Sequence, residues 1–264
     1  MANEQADTLL PEEQEVVRFL EELGLQVRPV PTSASKTPDF VVDGDARGYV
    51  VEVKTRFDSE EWARAMDCGS VAYQERSMGH GRWGEDVARG ALKQFRAADA
   101  EHSRWWVLWL AIRCKASAEA MREEAIGSLF GVRQVVYYDP HSKKHAMRNC
   151  LFAKPGVFER HPEIVASVVD CGDGLAFCVN EFAADVSSFQ ESVFCSSFAR
   201  IHPPTSATDL TENHGFCRVR KLSVDRSDDS ALAAHLQRAY GLEGAMVLDM
   251  RAHSASMAVP RSKD

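Results

Sequence analysis

The side chains best suited to chemistry cluster in the first quarter of the chain. Asp39 follows Pro38, and Glu52 and Lys54 flank Val53 a short distance later. Residues 40–42 and 49–53 are rich in β-branched and aromatic side chains. They bracket Asp43-Gly44-Asp45-Ala46-Arg47-Gly48, the pattern of a β-hairpin with a longer loop. Residues two apart in a strand share a face, so Glu52 and Lys54 point with Val50, while Tyr49, Val51 and Val53 point away. Setting Val42 opposite Tyr49 and counting outward places Asp39 opposite Glu52, where cross-strand Cβ atoms lie about 4.5–5.5 Å apart. Two carboxylates at that distance repel unless something positive lies between them. A divalent cation suits the gap, because Mg²⁺ commonly takes one or two carboxylates and keeps several waters. Lys54, on the same face, is placed to orient or deprotonate such a water or to steady a phosphate. This is the equipment for metal-assisted phosphodiester hydrolysis. The competing reading of the same residues is an exposed strand face with a weak surface pair. A one-residue slip of register would also part Asp39 from Glu52.

Other elements must hold this hairpin. Residues 12–23 predict a helix with Val16, Val17, Phe19, Leu20 and Leu23 on its apolar face, Pro11 in the first turn and Gly24 as the stop. Residues 25–30 follow as a short extended piece. Residues 85–98 predict a helix, 105–113 a buried strand, 116–129 a helix and 132–138 a strand. Residues 162–170 and 175–180 predict a strand pair joined by Cys171-Gly172-Asp173-Gly174. Beyond residue 203 the texture turns polar, with a strand expected within 216–224, a helix over 230–240 and a loose last dozen residues. The expected organisation is one domain over residues 1–200 and a C-terminal extension over 201–264.

Hydrophobic residues at 45% and charged residues at 27% exclude a disordered chain, a coiled coil and collagen. The longest clean apolar run, residues 105–112, is far short of the roughly 18–20 residues of a membrane helix. The opening MANEQADTLLPEEQE has neither a basic nor an apolar signal region, so no secretion signal is expected. A net charge of −8 argues against a histone-like coat protein and leaves room for a local nucleic-acid patch. Seven cysteines without a CxxC pair point to reduced thiols in the cytoplasm and not to a zinc site.

Pro38-Asp39 followed by Glu52-Val53-Lys54 resembles the PD-(D/E)xK signature of the restriction-endonuclease-like nucleases. Residues 13–27, EQEVVRFLEELGLQV, are similar to the first helix and strand of the archaeal Holliday-junction-resolvase-like branch, where a glutamate at the place of Glu13 often joins the metal site. The stretch Ala91-Leu92-Lys93-Gln94-Phe95 resembles the later helix whose glutamine or basic residue faces the active centre. The resemblance covers roughly residues 12–113. It implies an α/β fold with a mixed β-sheet flanked by helices, and hydrolysis of DNA with Mg²⁺ or Mn²⁺. Asp39 and Glu52 would hold the metal, with an oxygen from the Val53 carbonyl and Glu13 completing the shell. Lys54 and Gln94 would position or activate the water. The long insertion after Lys54 and the tail beyond about residue 200 depart from a minimal resolvase.

Further residues admit two readings each. Arg89, Lys93 and Arg96 share a helix face and either contact phosphates or, with Glu85, Asp86 and Asp99, form a solvated mixed face. Lys143, Lys144 and Arg148, with Lys154 and Arg160, form the strongest local basic patch. His141, His145 and His161 stand beside them, and Cys150 lies nearby. HSKKH lacks the acidic residue of a zinc-protease helix, so these histidines are expected to be satisfied or exposed. Trp62, Tyr73 and Trp83, interleaved with Arg64, Arg76 and Arg82, either stack on unpaired bases or cap the core. Trp105, Trp106 and Trp109 are packing residues. The rival to a nuclease is a catalytically inactive module of the same fold that binds protein or nucleic acid. A homodimer is compatible with either reading, and no membrane contact is expected. Hydrolysis of another phosphate ester is a third, weaker option.

Overall fold

The computed structural model describes residues 9–31, 37–60, 63–64, 71–77, 82–114, 118–199, 201, 216–219, 224–248 and 251–257. Its elements in chain order are α1 (Pro11–Glu22), β1 (Gln26–Pro29), β2 (Phe40–Asp43), β3 (Tyr49–Phe57), β4 (Val71–Ser77), α2 (Arg82–Ala98), β5 (Trp105–Arg113) and α3 (Ala118–Phe130). They continue with β6 (Arg133–Asp139), β7 (Lys144–Leu151), α4 (Val157–Arg160), β8 (Ile164–Asp170), β9 (Leu175–Val179), α5 (Val186–Gln190), α6 (Val193–Ser196), β10 (Phe216–Arg218), α7 (Asp229–Tyr240), β11 (Glu243–Leu248) and β12 (Arg251–Met257). The fold is mixed α/β, as the sequence leads one to expect. Among the described residues no helix is long and apolar enough to cross a membrane.

The chain divides into two interleaved units. The first comprises Met1–Arg56, Trp83–Ile112 and Val157–Pro203, and the second Phe57–Arg82, Arg113–Gly156 and Pro204–Asp264. The last crossing between them falls at Pro203–Pro204. The second unit, however, also takes in residues 113–156, because β6 and β7 pair with β10 and β11 and not with the strands of the first unit.

The first unit is built on a six-stranded sheet in the order β1-β2-β3-β5-β8-β9. β1, β2 and β3 run antiparallel, β5 and β8 are parallel, and β8 and β9 are antiparallel across the expected turn. β5 reads WWVLWLAIR because both of its faces are covered. Trp105, Val107, Trp109 and Ala111, with Tyr49, Val51 and Val53, join the core that includes Val16 and Leu20 of α1. Phe19 sets its ring 5.4 Å from Trp109 there. The even-numbered face of β5 receives α2, where Phe95 stacks on Trp106 with ring centroids 5.3 Å apart. Alternation therefore puts Glu52 and Lys54 on the side of the sheet that α2 covers, and the hydrophobic side of β3 under α1. Asp99, just past α2, fixes the next strand: its carboxylate accepts from the Ser103 N–H and hydroxyl, the Arg104 N–H and the Trp106 indole N–H. The three consecutive-strand tryptophans are buried, as expected of packing residues.

The second unit has a four-stranded sheet in the order β10-β7-β6-β11 and a two-stranded sheet of β4 with β12. Part of the tail expected to be loose thus pairs, residue for residue, with Val71–Ser77. Val135, Cys150, Cys217, Leu232 and Leu236 form the centre of its core. The helix α7 starts where the Asp228 carboxylate accepts the Ser230 and Ala231 N–H groups, and it stops at Gly241, whose φ of 64° suits a residue without Cβ. Among the described cysteines there is no disulfide.

Candidate active site

The hairpin register is the one counted from the sequence. Val42–Tyr49, Val41–Val50 and Phe40–Val51 are partners, and continuing outward brings Asp39 opposite Glu52. Asp39 Oδ2 accepts the Val53 N–H at 2.7 Å, which anchors the carboxylate across the strand pair. Glu52 is fully buried, whereas Lys54 is about a third exposed, and the Lys54 ammonium pairs with Glu52 Oε1. Among the described residues the second oxygen, Glu52 Oε2, is buried and accepts no hydrogen bond of normal geometry, with Asp39 as its polar neighbour. A buried carboxylate oxygen that accepts no hydrogen bond is costly, so the arrangement is incomplete as a purely structural pair.

Electrostatics carry the same message. Burial first, and the neighbouring Asp39 charge second, push the Glu52 carboxyl up to about 7, against the pull of Lys54. Burial also holds Asp39 above the usual carboxylate range. The Val53 N–H and Lys54 oppose that rise, while the charge of Glu13 adds to it. The two acids therefore share a site that resists a second negative charge.

Gln94 approaches from α2. Its Nε2 donates to the Thr37 carbonyl at 2.7 Å and so ties the helix to the Thr37-Pro38-Asp39 segment. It is nearly buried, and its amide steadies the loop that presents Asp39. Gln94→Ala is expected to cost about 1 kcal/mol of stability, the net worth of one such bond. It should also weaken Mn²⁺ binding several-fold as Asp39 loosens. Chemical denaturation and titration calorimetry on the same preparation check both effects.

Glu13 has a structural bond of its own. Its Oε2 accepts the Leu10 N–H at 2.9 Å, the N3-to-N-cap half of a capping box that starts α1. Among the described residues no group of three or more His, Cys, Asp or Glu side chains is arranged to hold one metal ion. α1 packs on the face of β3 that carries Tyr49, Val51 and Val53, and the charge of Glu13 is still felt at Asp39. The donor set here is Asp39, Glu52 and the Val53 carbonyl. Two carboxylates with a carbonyl and waters still suit Mg²⁺ or Mn²⁺, both of which favour oxygen ligands and partial hydration.

The nucleic-acid candidates are divided between the two units. Arg89 is ion-paired with Glu85 and Asp86, and Arg96 with Glu163, which makes this stripe of α2 a mixed ionic face. Lys93 is exposed on the same stripe, turned well away from Gln94 by helical spacing. Lys143, Lys144 and Arg148 belong to the second unit. Lys143 occupies the left-handed region, φ 55°, in the turn before β7. Both lysines are exposed. Arg148 lies 5.0 Å over the Tyr137 ring and donates to its hydroxyl, so its guanidinium has an internal role. His161 falls in the first unit, and His141 and His145 in the second. Trp62 and Cys68, and the side chains of Tyr73, Arg76 and Arg82, lie outside the described residues.

Sequence reasoning passed over Arg56. It continues the Glu52–Lys54 row by one more strand step, and its guanidinium lies 6.0 Å from the Trp83 ring at the start of α2. The two-residue parity was the signal that could have found it. Comparison of the chain with family models, curated proteins and solved structures returns no match, so its residues and geometry carry the functional reading.

Proposed function

We propose that this chain is a Mg²⁺- or Mn²⁺-dependent nuclease of the PD-(D/E)xK type that hydrolyses DNA phosphodiester bonds. The observation that carries the reading is Glu52 Oε2, a buried carboxylate oxygen that accepts no hydrogen bond among the described residues, set opposite Asp39 and beside Lys54. Asp39, Glu52 and the Val53 carbonyl would hold the ion. When bound, it would polarise a phosphoryl oxygen and lower the pKa of a coordinated water. Lys54, released from Glu52 by that charge, orients the attacking water or steadies the phosphate. Gln94 holds the Asp39 segment in place from α2. A restriction-endonuclease-like identity of the first unit and a cytoplasmic setting fit this reading.

The Lys54–Glu52 ion pair favours the second reading, an inactive module of the same fold, because it supplies a positive partner without metal. Asp39→Asn separates the two. The amide oxygen can still accept the Val53 N–H, so the hairpin persists while the charge is gone. The parent is expected to gain about 2.7 kcal/mol of stability when Mn²⁺ stands at a hundred times its dissociation constant. It is also expected to cut at least one of supercoiled, linear, branched or single-stranded DNA. Asp39→Asn should lose both responses. A metal-induced shift in melting temperature that is identical in parent and variant would place the ion elsewhere. A parent that cuts none of the four substrates would support the inactive module.

A further inference from the structure

Glu52, Lys54 and Arg56 alternate along β3 and share one face. On α2, Trp83, Gly90 and Gln94 stand seven and eleven residues apart, close to whole numbers of turns, and so line one flank of the helix. Two contacts show that this flank runs beside the row. Gln94 reaches the Thr37 carbonyl at the Asp39 end, and Trp83 meets Arg56 at the other end. The lengths agree: eleven residues of helix span about 16 Å, and four residues from Glu52 to Arg56 about 13 Å. Between the two contacts the helix presents Gly90, where, among the described residues, an added Cβ would meet nothing within 4 Å. Helix interiors disfavour glycine, so this open space carries a cost in helix propensity.

We propose that Arg56 and Trp83 form a nucleotide subsite next to the Asp39–Glu52–Lys54 centre, specific for an unpaired base. The inference rests on the nuclease reading for its neighbour, the scissile phosphate. Arg56 lies one strand repeat beyond Lys54, a step comparable to that between successive phosphates of one nucleic-acid strand. Its guanidinium can therefore pair with the adjacent phosphate. Trp83 is half-buried and lies near the outer limit of cation–π contact from Arg56, so its indole is the aromatic group at this end of the row on which a base would stack. A base inside a duplex has both faces covered by its neighbours, so an indole can only stack on a base that is unpaired, terminal or splayed. Gly90 leaves room for the sugar-phosphate chain to pass between the two ends. The substrate class that follows is a single strand, or a duplex with a frayed, flapped or branched end.

The test measures equilibrium binding in Ca²⁺ buffer on the full chain. The probes are a fluorescein-labelled single strand of about 20 nucleotides, longer than a single-domain site size, and the same strand in a blunt duplex. Trp83→Ala should weaken single-strand binding at least about fivefold and change duplex binding little, while Trp83→Phe keeps most of the affinity. Arg56→Gln should weaken both and flatten the salt dependence of single-strand binding by about 0.7 in log–log slope. Gly90→Leu removes an unfavourable helix glycine and should melt no lower than the parent, yet it should lose affinity for both probes. It serves as the well-folded variant if Trp83→Ala proves unstable. Equal losses on both probes for Trp83→Ala, or no loss, together with unimpaired binding by Gly90→Leu, overturn the subsite and leave the nuclease reading standing if the parent still cleaves. A Trp83-dependent preference for single strands in a parent that never cleaves upholds the subsite and overturns the nuclease reading. A parent that binds neither probe and cuts nothing overturns both.

Discussion

Glu52→Gln is expected to melt higher than the parent at pH 8 in metal-free buffer, and at pH 4 the two should converge. The Glu52 carboxyl is raised from 4.5 to about 7 in the folded protein, so the folded state holds a proton that the unfolded chain has released. Its contribution to stability is fully present below about pH 4.5, and it is lost as pH rises through about 7. By linkage the loss is roughly 3 kcal/mol. The neighbouring Asp39 is shifted in the same direction and adds to the slope. Asp43, Asp99 and Asp229, held low by arginines or hydrogen bonds, act in a separate window, where stability falls as pH drops through their folded values below 3.8. Comparing parent with variant cancels every group the two share. The glutamine keeps the shape of Glu52, and Lys54 retains the Asp39 charge nearby. The same substitution should erase cleavage and the metal-induced rise in melting temperature. Melting curves from pH 4 to pH 9, with EDTA and with Mn²⁺, check all of this. A variant less stable than the parent at pH 8 without metal would make Glu52 a structural partner of Lys54 and no more.

The second large effect is expected in rate. Lys54→Ala should slow single-turnover cleavage by about 10²–10⁴, the range associated with lost proton-transfer or positioning help. Its Mn²⁺ affinity should stay equal to the parent's or rise. An ammonium has no lone pair with which to ligate a cation, so the side chain cannot itself hold the metal. In the metal-free protein it competes for Glu52 Oε1, and removing it removes that competition. Stability above pH 7 should fall, because Glu52 then lacks its positive partner, and Mn²⁺ should restore most of the difference. Lys54→Arg should not recover the rate, since a guanidinium remains protonated and presents a planar fork where a compact ammonium stood. Calorimetric Mn²⁺ titration and cleavage kinetics on one preparation measure the split. Cleavage by Lys54→Ala at the parental rate would remove Lys54 from the chemistry.

The local part of this site was legible in the order of residues. A short loop ties β2 to β3, so chain connectivity limits the registers available, and the alternating burial requirement selects one of them. Asp39 therefore meets Glu52, and Lys54 shares the Glu52 face, before any distant contact is considered. The run WWVLWLAIR likewise declares a strand covered on both sides. The same cannot be said of β7, whose KHAMRNCL reads as a basic patch and becomes a strand only by pairing with β6. Nor is the role of Glu13 local: its helix-capping bond and its charge near Asp39 both depend on where α1 packs. Gln94 and Thr37, and Arg56 and Trp83, are far apart along the chain and meet because α2 lies along one flank of β3. Neighbour-to-neighbour geometry thus placed the two acids and the lysine, because strand alternation and a short loop leave few alternatives. What surrounds them was decided by packing across the sheet, where many sequence-distant partners compete and only the assembled core selects among them.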